Sequence, residues 1–391
     1  MTGTVELLDP VLKIAREHAH DVDAAGRFPE EAVAALRASG LLGLTLPTEV
    51  GGLGRGPQEL VRVASALAGA CGSTAMIYLM HVSAAMPVAA APPDGMPGLL
   101  ADLASGRSLA SLAFSEAGSR SHFWAPVSRA TTTPEGIRVS AKKSWVTSAG
   151  HADVYVMSTG TPDAEGVDLF AIPAGSSGLT IDRPWSGMGF RGNSSSPMTV
   201  EVDTTDKFRL GSAGGGFDLM MGHVLPWFNL GNSAVSIGLS RAAVDAAIRH
   251  TMGARLEHLD QSLSSLPTIR AQLAKMSIDL ANASAYLDVA AGKVADPEDD
   301  TPLFVLGSKA SSNDAALRIT DVAMRVCGGA AFSEHLQIDR YFRDARAGHV
   351  MAPTSDVLYE FFGRAITGRP LFDAPKPAPA AQRAETAEAA A

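Results

Sequence analysis

The chain has 391 residues, with 32 lysines and arginines against 41 aspartates and glutamates, and so carries a formal charge of −9 at neutral pH. Its 46% hydrophobic and 19% charged residues are the makeup of a folded chain with a large core, which excludes global disorder; at about 150 residues per domain the length predicts two or three domains. The acidic balance, with no long basic run, argues against nucleic-acid partners or a polybasic membrane contact.

From Val5 to about Arg107 apolar residues recur at helical spacing, as in Leu8, Val11, Leu12 and Ala15. Glu6, Asp9, Lys13, Arg16 and Glu17 interrupt that pattern, so the first 25 residues lack the apolar run of a signal peptide. Phe28-Pro29-Glu30-Glu31 opens a second helix with Pro and acids, and Gly40 closes it. A loop with Pro47 and Gly51-Gly52 leads to a helix from about Gln58 to Ala70. The alanine-rich stretch from Ser83 to Pro93 is short and broken by Pro87, Pro92 and Pro93, so it is not expected to span a membrane. Cys71 and Cys327 are too few for a disulfide framework and lack metal-ligand spacing. No metal is expected, and a cytoplasmic setting fits.

From about Ser108 to Gly211 the period changes to two, with many Thr, Val and Ser residues. Pro134-Glu135-Gly136 reads as a hairpin turn, and Ala152–Met157 and Asp168–Ile172 read as strands. Helical period returns from Gly216 to about Arg369, including a long alanine-rich run from Leu230 to Thr251. A helix bundle is the natural reading. Residues 374–391 are Ala/Pro-rich with no apolar face and are expected to be a disordered tail. The expected domains are therefore an N-terminal helical domain over 1–107, a β-domain over 108–213 and a helical bundle over 214–373.

Several motifs lie in order along this plan. They are Pro47-Thr48-Glu49-Val50-Gly51-Gly52, Ser115-Glu116-Ala117-Gly118-Ser119, Trp145-Val146-Thr147, Met188-Gly189-Phe190-Arg191, Cys327-Gly328-Gly329 and Arg343-Asp344-Ala345-Arg346. Together they resemble the acyl-CoA dehydrogenase superfamily over nearly the whole ordered chain. The resemblance implies an α+β multidomain fold: an N-terminal helical domain, a central β-barrel or sandwich and a C-terminal four-helix bundle. It also implies a flavin between β-domain and bundle. Trp145 would wall the ring, Thr147 would reach its N5, and Ser115 and Thr354 would contact its polar parts. The family grips the adenosine and diphosphate of FAD across a subunit interface, which implies a homotetramer or homodimer in which Gly328, Gly329 and Arg325, the last at a position that is usually Gln, serve the neighbouring chain. The family's Arg-x-x-Phe-Gly segment is incomplete here, reading Arg255-Leu256-Glu257-His258-Leu259, so FMN stands as an alternative to FAD.

The family's catalytic glutamate is missing. Its position reads Ala352, within Met351-Ala352-Pro353-Thr354, and the alternative position on the first bundle helix reads Trp227-Phe228-Asn229. Three explanations compete. The base can have moved to His349, Asp356 or Glu360, with the Ala352 backbone N–H still binding the thioester oxygen. Alternatively, the fold runs as a monooxygenase fed by a flavin reductase, with Phe228 and Asn229 lining a drier pocket and His81, His122 or His151 as polar partners. Lastly, the chain is a non-catalytic binding scaffold. The leading expectation is dehydrogenation at the α,β bond of an acyl thioester, with electrons passed to an electron-transfer flavoprotein.

Overall fold

The structure is a computed structural model that describes residues 3–162 and 165–372. The tail expected over 374–391 lies outside the described residues. Five helices come first: α1 (Thr4–Ala25), α2 (Glu30–Ser39), α3 (Pro57–Ala70), α4 (Gly72–Ala90) and α5 (Leu99–Ala104). In α1 the stripe Leu8, Val11, Leu12, Ala15, Ala19 and Val22 is buried, as an amphipathic surface helix requires. The second helix opens after Pro29 and stops at Gly40, whose φ of 75° an L side chain resists.

Helix α4 is apolar all round and is long and apolar enough to cross a membrane, but it is enclosed by the rest of the chain, including its polar residues Thr74, His81 and Ser83. It forms the centre of the helical core. The close approach of α3 to the later bundle depends on Gly238, where an added Cβ would come within 2.1 Å of the Ser65 carbonyl oxygen.

The β-domain consists of β1 (Ala110–Ala113), β2 (Thr131–Thr133), β3 (Gly136–Val146), β4 (Val154–Gly160), β5 (Val167–Pro173), β6 (Leu179–Ile181) and β7 (Ser196–Thr204). They form two open sheets rather than a closed barrel. One has order β1-β4-β5, with β1 parallel to β4, and the other has the antiparallel order β2-β3-β7-β6. Every residue of β4 is buried because its two faces meet different partners: Tyr155 and Met157 join the core between the sheets, whereas Val154 and Val156 pack on the helical core. The turn at Pro134-Glu135-Gly136 joins β2 to β3, with Thr133 opposite Gly136.

Helix α6 (Gly216–Leu219) and a π-helical segment, Met220–Val224, lead into α7 (Leu225–Gly253). A two-stranded ribbon follows, β8 (Arg255–Leu256) with β9 (Gln261–Ser262), then α8 (Pro267–Ala295), α9 (Thr301–Cys327), α10 (Gly329–Phe332), α11 (Ile338–Val350) and α12 (Ser355–Ile366). Helix α9 packs against α7, α8, α11 and α12, so the bundle is organised around it. Half-buried Arg343 and buried Asp344 join the three parts. Arg343 reaches Asp23 of α1 at 2.9 Å and the Met188 carbonyl at 3.2 Å, and Asp344 accepts the Phe190 N–H at 2.6 Å.

Candidate functional site

A cavity of about 700 Å³ lies where the β-domain meets the bundle. Its β-domain wall is made by the end of β1, the end of β3 and the loops that follow them. Alternation along β3 breaks at a bulge between Lys143 and Val146, where Trp145 takes a left-handed φ of 57°. The bulge leaves Trp145 57% exposed, an unusual placement for a tryptophan, and its ring meets Trp185 edge-on with centroids 5.8 Å apart. Thr147 follows just beyond the strand, buried, with its hydroxyl 3.0 Å from that of Ser195. Ser115 also lines the cavity.

The opposite wall comes from the bundle: Phe228 of α7 and the segment that runs from Ala347 of α11 to Thr354. Thr354 precedes α12 but does not cap it; its hydroxyl instead lies 3.2 Å from that of Ser121, across the cavity's rim. Ala352 lines the same wall, and among the described residues no acceptor takes its N–H.

Each wall is braced from behind by a buried lysine. Lys143 lies in phase with the inward residues Ile137, Val139 and Ala141 of β3, and its Nζ donates to Glu116 at 2.6 Å and also to the Ser158 carbonyl. Glu116 additionally accepts the N–H groups of Val127 and Ser128, both at 2.7 Å, and the Ser128 hydroxyl at 2.6 Å. Burial alone would raise the Glu116 pKa, but Lys143 and Ser128 override it and hold the group below the ordinary carboxylate range. This carboxylate is fully engaged and ties down the loop over residues 117–128.

Behind the other wall, Lys309 of α9 donates to the carbonyls of Gly348, Met351 and Pro353 at 3.2, 3.0 and 2.7 Å. Three donors meet three acceptors around the end of α11, where the helix dipole also favours a cation. Burial works against that charge and pushes the Lys309 pKa down to about 7. Neither lysine was singled out as functional from sequence. A lysine at an inward position of β3 is the signal that predicts a buried cation needing a partner.

Of the expected site residues, Ser115, Trp145, Thr147, Phe228, Ala352 and Thr354 converge on the cavity. Others do not. Asn229, one residue after Phe228, turns into the bundle and donates to the Val305 carbonyl at 3.3 Å, which corrects its expected place in the substrate pocket. His81 is also outside the lining: its Nδ1 accepts the Ala110 N–H, Nε2 meets the Leu42 carbonyl, both at 3.1 Å, and burial lowers its pKa to about 4. It is a neutral pin between α4, β1 and the chain at Leu42.

His349 is a third correction. Its Nδ1 lies 3.3 Å from Asp314 of α9, on a different side of α11 from the cavity-lining Ala347, Val350 and Met351. Asp356 is exposed in the first turn of α12, and Glu360 is exposed and paired with Arg364 at 2.8 Å. His122 stands edge-on to Trp124 and His151 stacks on Phe28. Arg325, Gly328 and Gly329 sit exposed at the end of α9, outside the cavity lining.

The lining thus offers hydroxyls from Ser115, Ser121, Thr147, Ser195 and Thr354, the Asn193 amide, and aromatic faces, with no free carboxylate or imidazole. Such a donor set beside an exposed indole suits a planar heterocycle with a polar edge. It fits the ring of a flavin.

Comparison with known proteins agrees with this architecture. The models of the acyl-CoA dehydrogenase N-terminal, middle and C-terminal domains match residues 8–95, 111–202 and 214–367. A Mycobacterium leprae protein named as a probable acyl-CoA dehydrogenase is 27% identical over 357 residues, 89% of this chain and 90% of that protein. A cyclohex-1-ene-1-carbonyl-CoA dehydrogenase of Geobacter metallireducens is 26% identical over 352 residues, 88% and 92% of the two chains. Butyryl-CoA dehydrogenase from Megasphaera elsdenii has the same fold, with a TM-score of 0.85 at 22% identity over 94% of this chain and 100% of that one. Three matching domain models in order, spread over most of the chain, make the assignment: the protein belongs to the acyl-CoA dehydrogenase family.

Proposed function

We propose that the protein is a flavin-dependent oxidoreductase that holds FAD in this cavity and oxidises the α,β carbon–carbon bond of an acyl thioester. The observation that carries this reading is the convergence of Trp145 and Thr147 from one wall with Ala352 and Thr354 from the other on one cavity. Bound FAD supplies a two-electron acceptor for hydride. Trp145 would pack against the flavin, and the Thr147 hydroxyl, held beside that of Ser195, would donate to its polar atoms. The unengaged Ala352 N–H donates to the thioester oxygen and so acidifies the α C–H bond. In this reading Arg325, Gly328 and Gly329 face the cofactor of a second copy of the chain.

With no free side-chain base in the lining, the α-proton passes to hydroxide at the cavity mouth, which leaves as water. Turnover therefore rises with pH through the neutral range without the plateau that a side-chain base produces. Replacing His349 by Ala leaves turnover within about twofold, since its ring faces Asp314. A loss of orders of magnitude would instead identify His349 as the base.

The same absence of a free carboxylate favours a second reading, a reductase-fed monooxygenase, in which Phe228, Phe114 and Phe123 keep the pocket dry. One experiment separates the two. The visible spectrum of the purified protein is followed anaerobically as acyl-CoA substrates are added. Bleaching of a bound oxidised flavin supports the dehydrogenase; a flavin that stays oxidised under every acyl-CoA tested overturns it and makes oxygenation the leading reading. Release and identification of the bound flavin decides between FAD and FMN.

A further inference from the structure

A second cleft, of about 880 Å³, shares no lining residue with the cavity at the domain junction. It runs between α3 and α7, and α1, α8 and the start of α11 complete its walls. Helical spacing sets its two long sides: Gln58, Arg62, Ser65 and Gly69 recur on one face of α3, and Gly238, Arg241, Asp245 and Arg249 on one face of α7. Small residues let the two helices close up at the bottom, where an added Cβ on Gly69 would touch the Gly238 carbonyl oxygen at 3.5 Å. The rest of the floor is apolar, made by buried Val61, Ile237, Leu287 and Tyr341.

The rim is charged. Arg16, Arg62, Arg241 and Arg249 stand around it with two carboxylates, Asp245 and Asp288, so the cleft is net positive in a chain whose formal charge is −9. These cations are largely uncommitted. Arg62 reaches Glu59 at 3.5 Å, an exposed pair of little strength. Among the described residues Arg16, Arg241 and Arg249 have neither a carboxylate within 4.0 Å nor a hydrogen-bond acceptor, although Asp245 lies one turn from both Arg241 and Arg249 on α7. A separate observation comes from α8, where the Ser284 hydroxyl at the cleft wall is buried without a partner. Free guanidinium forks match the oxygens of a phosphate, and an apolar floor between them matches a body that carries the phosphate.

We propose that this cleft is a second ligand site, which binds an organic phosphate: the arginines take the phosphate oxygens, and the floor between α3 and α7 takes the apolar or aromatic part of the molecule. The site lies apart from the flavin cavity and does not depend on the reaction proposed above.

ADP is the probe, titrated by calorimetry into the full chain as purified. The double variant Arg241→Gln with Arg249→Gln removes two exposed charges and keeps long side chains on α7; Ala66→Trp fills the floor and leaves every arginine in place. Unchanged melting temperatures and flavin content establish that the fold and the domain junction are intact. The double variant is expected to weaken ADP about ten- to a hundredfold, and Ala66→Trp to abolish its binding. Adenosine, which lacks the phosphates, is expected to bind the native chain at least about tenfold more weakly than ADP.

No binding of ADP by the native chain overturns the site. So does equal ADP affinity in the native chain and the double variant, or adenosine bound as tightly as ADP. If Ala66→Trp does not fold, the double variant alone decides, because both of its positions are exposed. A chain that retains no flavin and is not reduced by any acyl-CoA counts against the oxidoreductase reading and leaves the ADP result to judge the cleft by itself.

Discussion

The two walls of the cavity bury charge in opposite ways. On the β-domain wall a carboxylate is present but occupied: Glu116 is bound by Lys143, two N–H groups and a hydroxyl. On the bundle wall the cation is present without any carboxylate, since Lys309 is held by three carbonyls and the residue in front of it is Ala352. A lysine can therefore be kept inside a protein by one strong counter-charge or by several neutral acceptors. The two solutions differ in what they leave available. The first consumes the only carboxylate of the cavity; the second needs none, so Ala352 can be changed without disturbing its support.

The largest expected effect follows from that freedom. Ala352→Glu places a free carboxylate on the bundle wall, where the thioester α-carbon would lie in the proposed reaction. General base catalysis contributes about 10²- to 10⁴-fold, so acyl-CoA oxidation rises by at least about 100-fold and its pH profile acquires a plateau. Stopped-flow reduction by an acyl-CoA measures it. An unchanged rate with intact flavin binding would count against the dehydrogenase geometry.

Breaking each lysine separately sharpens the comparison. Lys143→Met leaves the Glu116 charge buried with its neutral donors only and costs about 3–5 kcal/mol, whereas adding Glu116→Gln to it recovers much of the loss. Lys309→Met removes a donor from three carbonyls but strands no charge, and costs about 1–3 kcal/mol. Denaturant midpoints measure both. Equal losses, with no rescue in the double variant, would show that Glu116 is not dependent on its partner.

The ordering of these features was unevenly legible. The period change to two at Ser108 and back at Gly216 reflects real strand and helix geometry, so the three-part plan could be read directly. Trp145 and Thr147 were legible from their motif, but the bulge that exposes the indole was not, because it depends on pairing with β7. Two of the misplaced residues, His81 and Asn229, have a common cause. Helices α4 and α7 are apolar nearly all round, so no hydrophobic stripe tells which face His81 or Asn229 presents. Helix α11 does carry a stripe, Ile338, Tyr341, Ala345 and Gly348, and His349 lies off the face that Ala347, Val350 and Met351 present to the cavity.

At the seam between the walls a third buried charge gives the clearest pH signature. Asp344, 2% exposed, accepts the Phe190 N–H and so fixes the loop that contributes Gly189 and Phe190 to the cavity. That loop sits so close to α11 that a Cβ on Gly189 would meet the Arg343 carbonyl oxygen at 2.6 Å. Burial pushes the Asp344 pKa up to about 7, against the opposing pull of the Phe190 N–H and of Arg340 and Arg343. An acid whose pKa is raised on folding binds more protons folded than unfolded between its two pKa values. Its contribution to stability is therefore greatest below the unfolded value of 3.8, declines as pH rises to about 7, and is constant above that. Asp344→Asn keeps an oxygen for the Phe190 N–H and removes the titration. The melting temperature of the variant relative to the native chain should then climb by a few degrees between about pH 4 and 7 and stay level beyond it. A difference that does not change with pH would mean that Asp344 stays ionised at the seam, held by Arg340 and Arg343 much as Glu116 is held by Lys143.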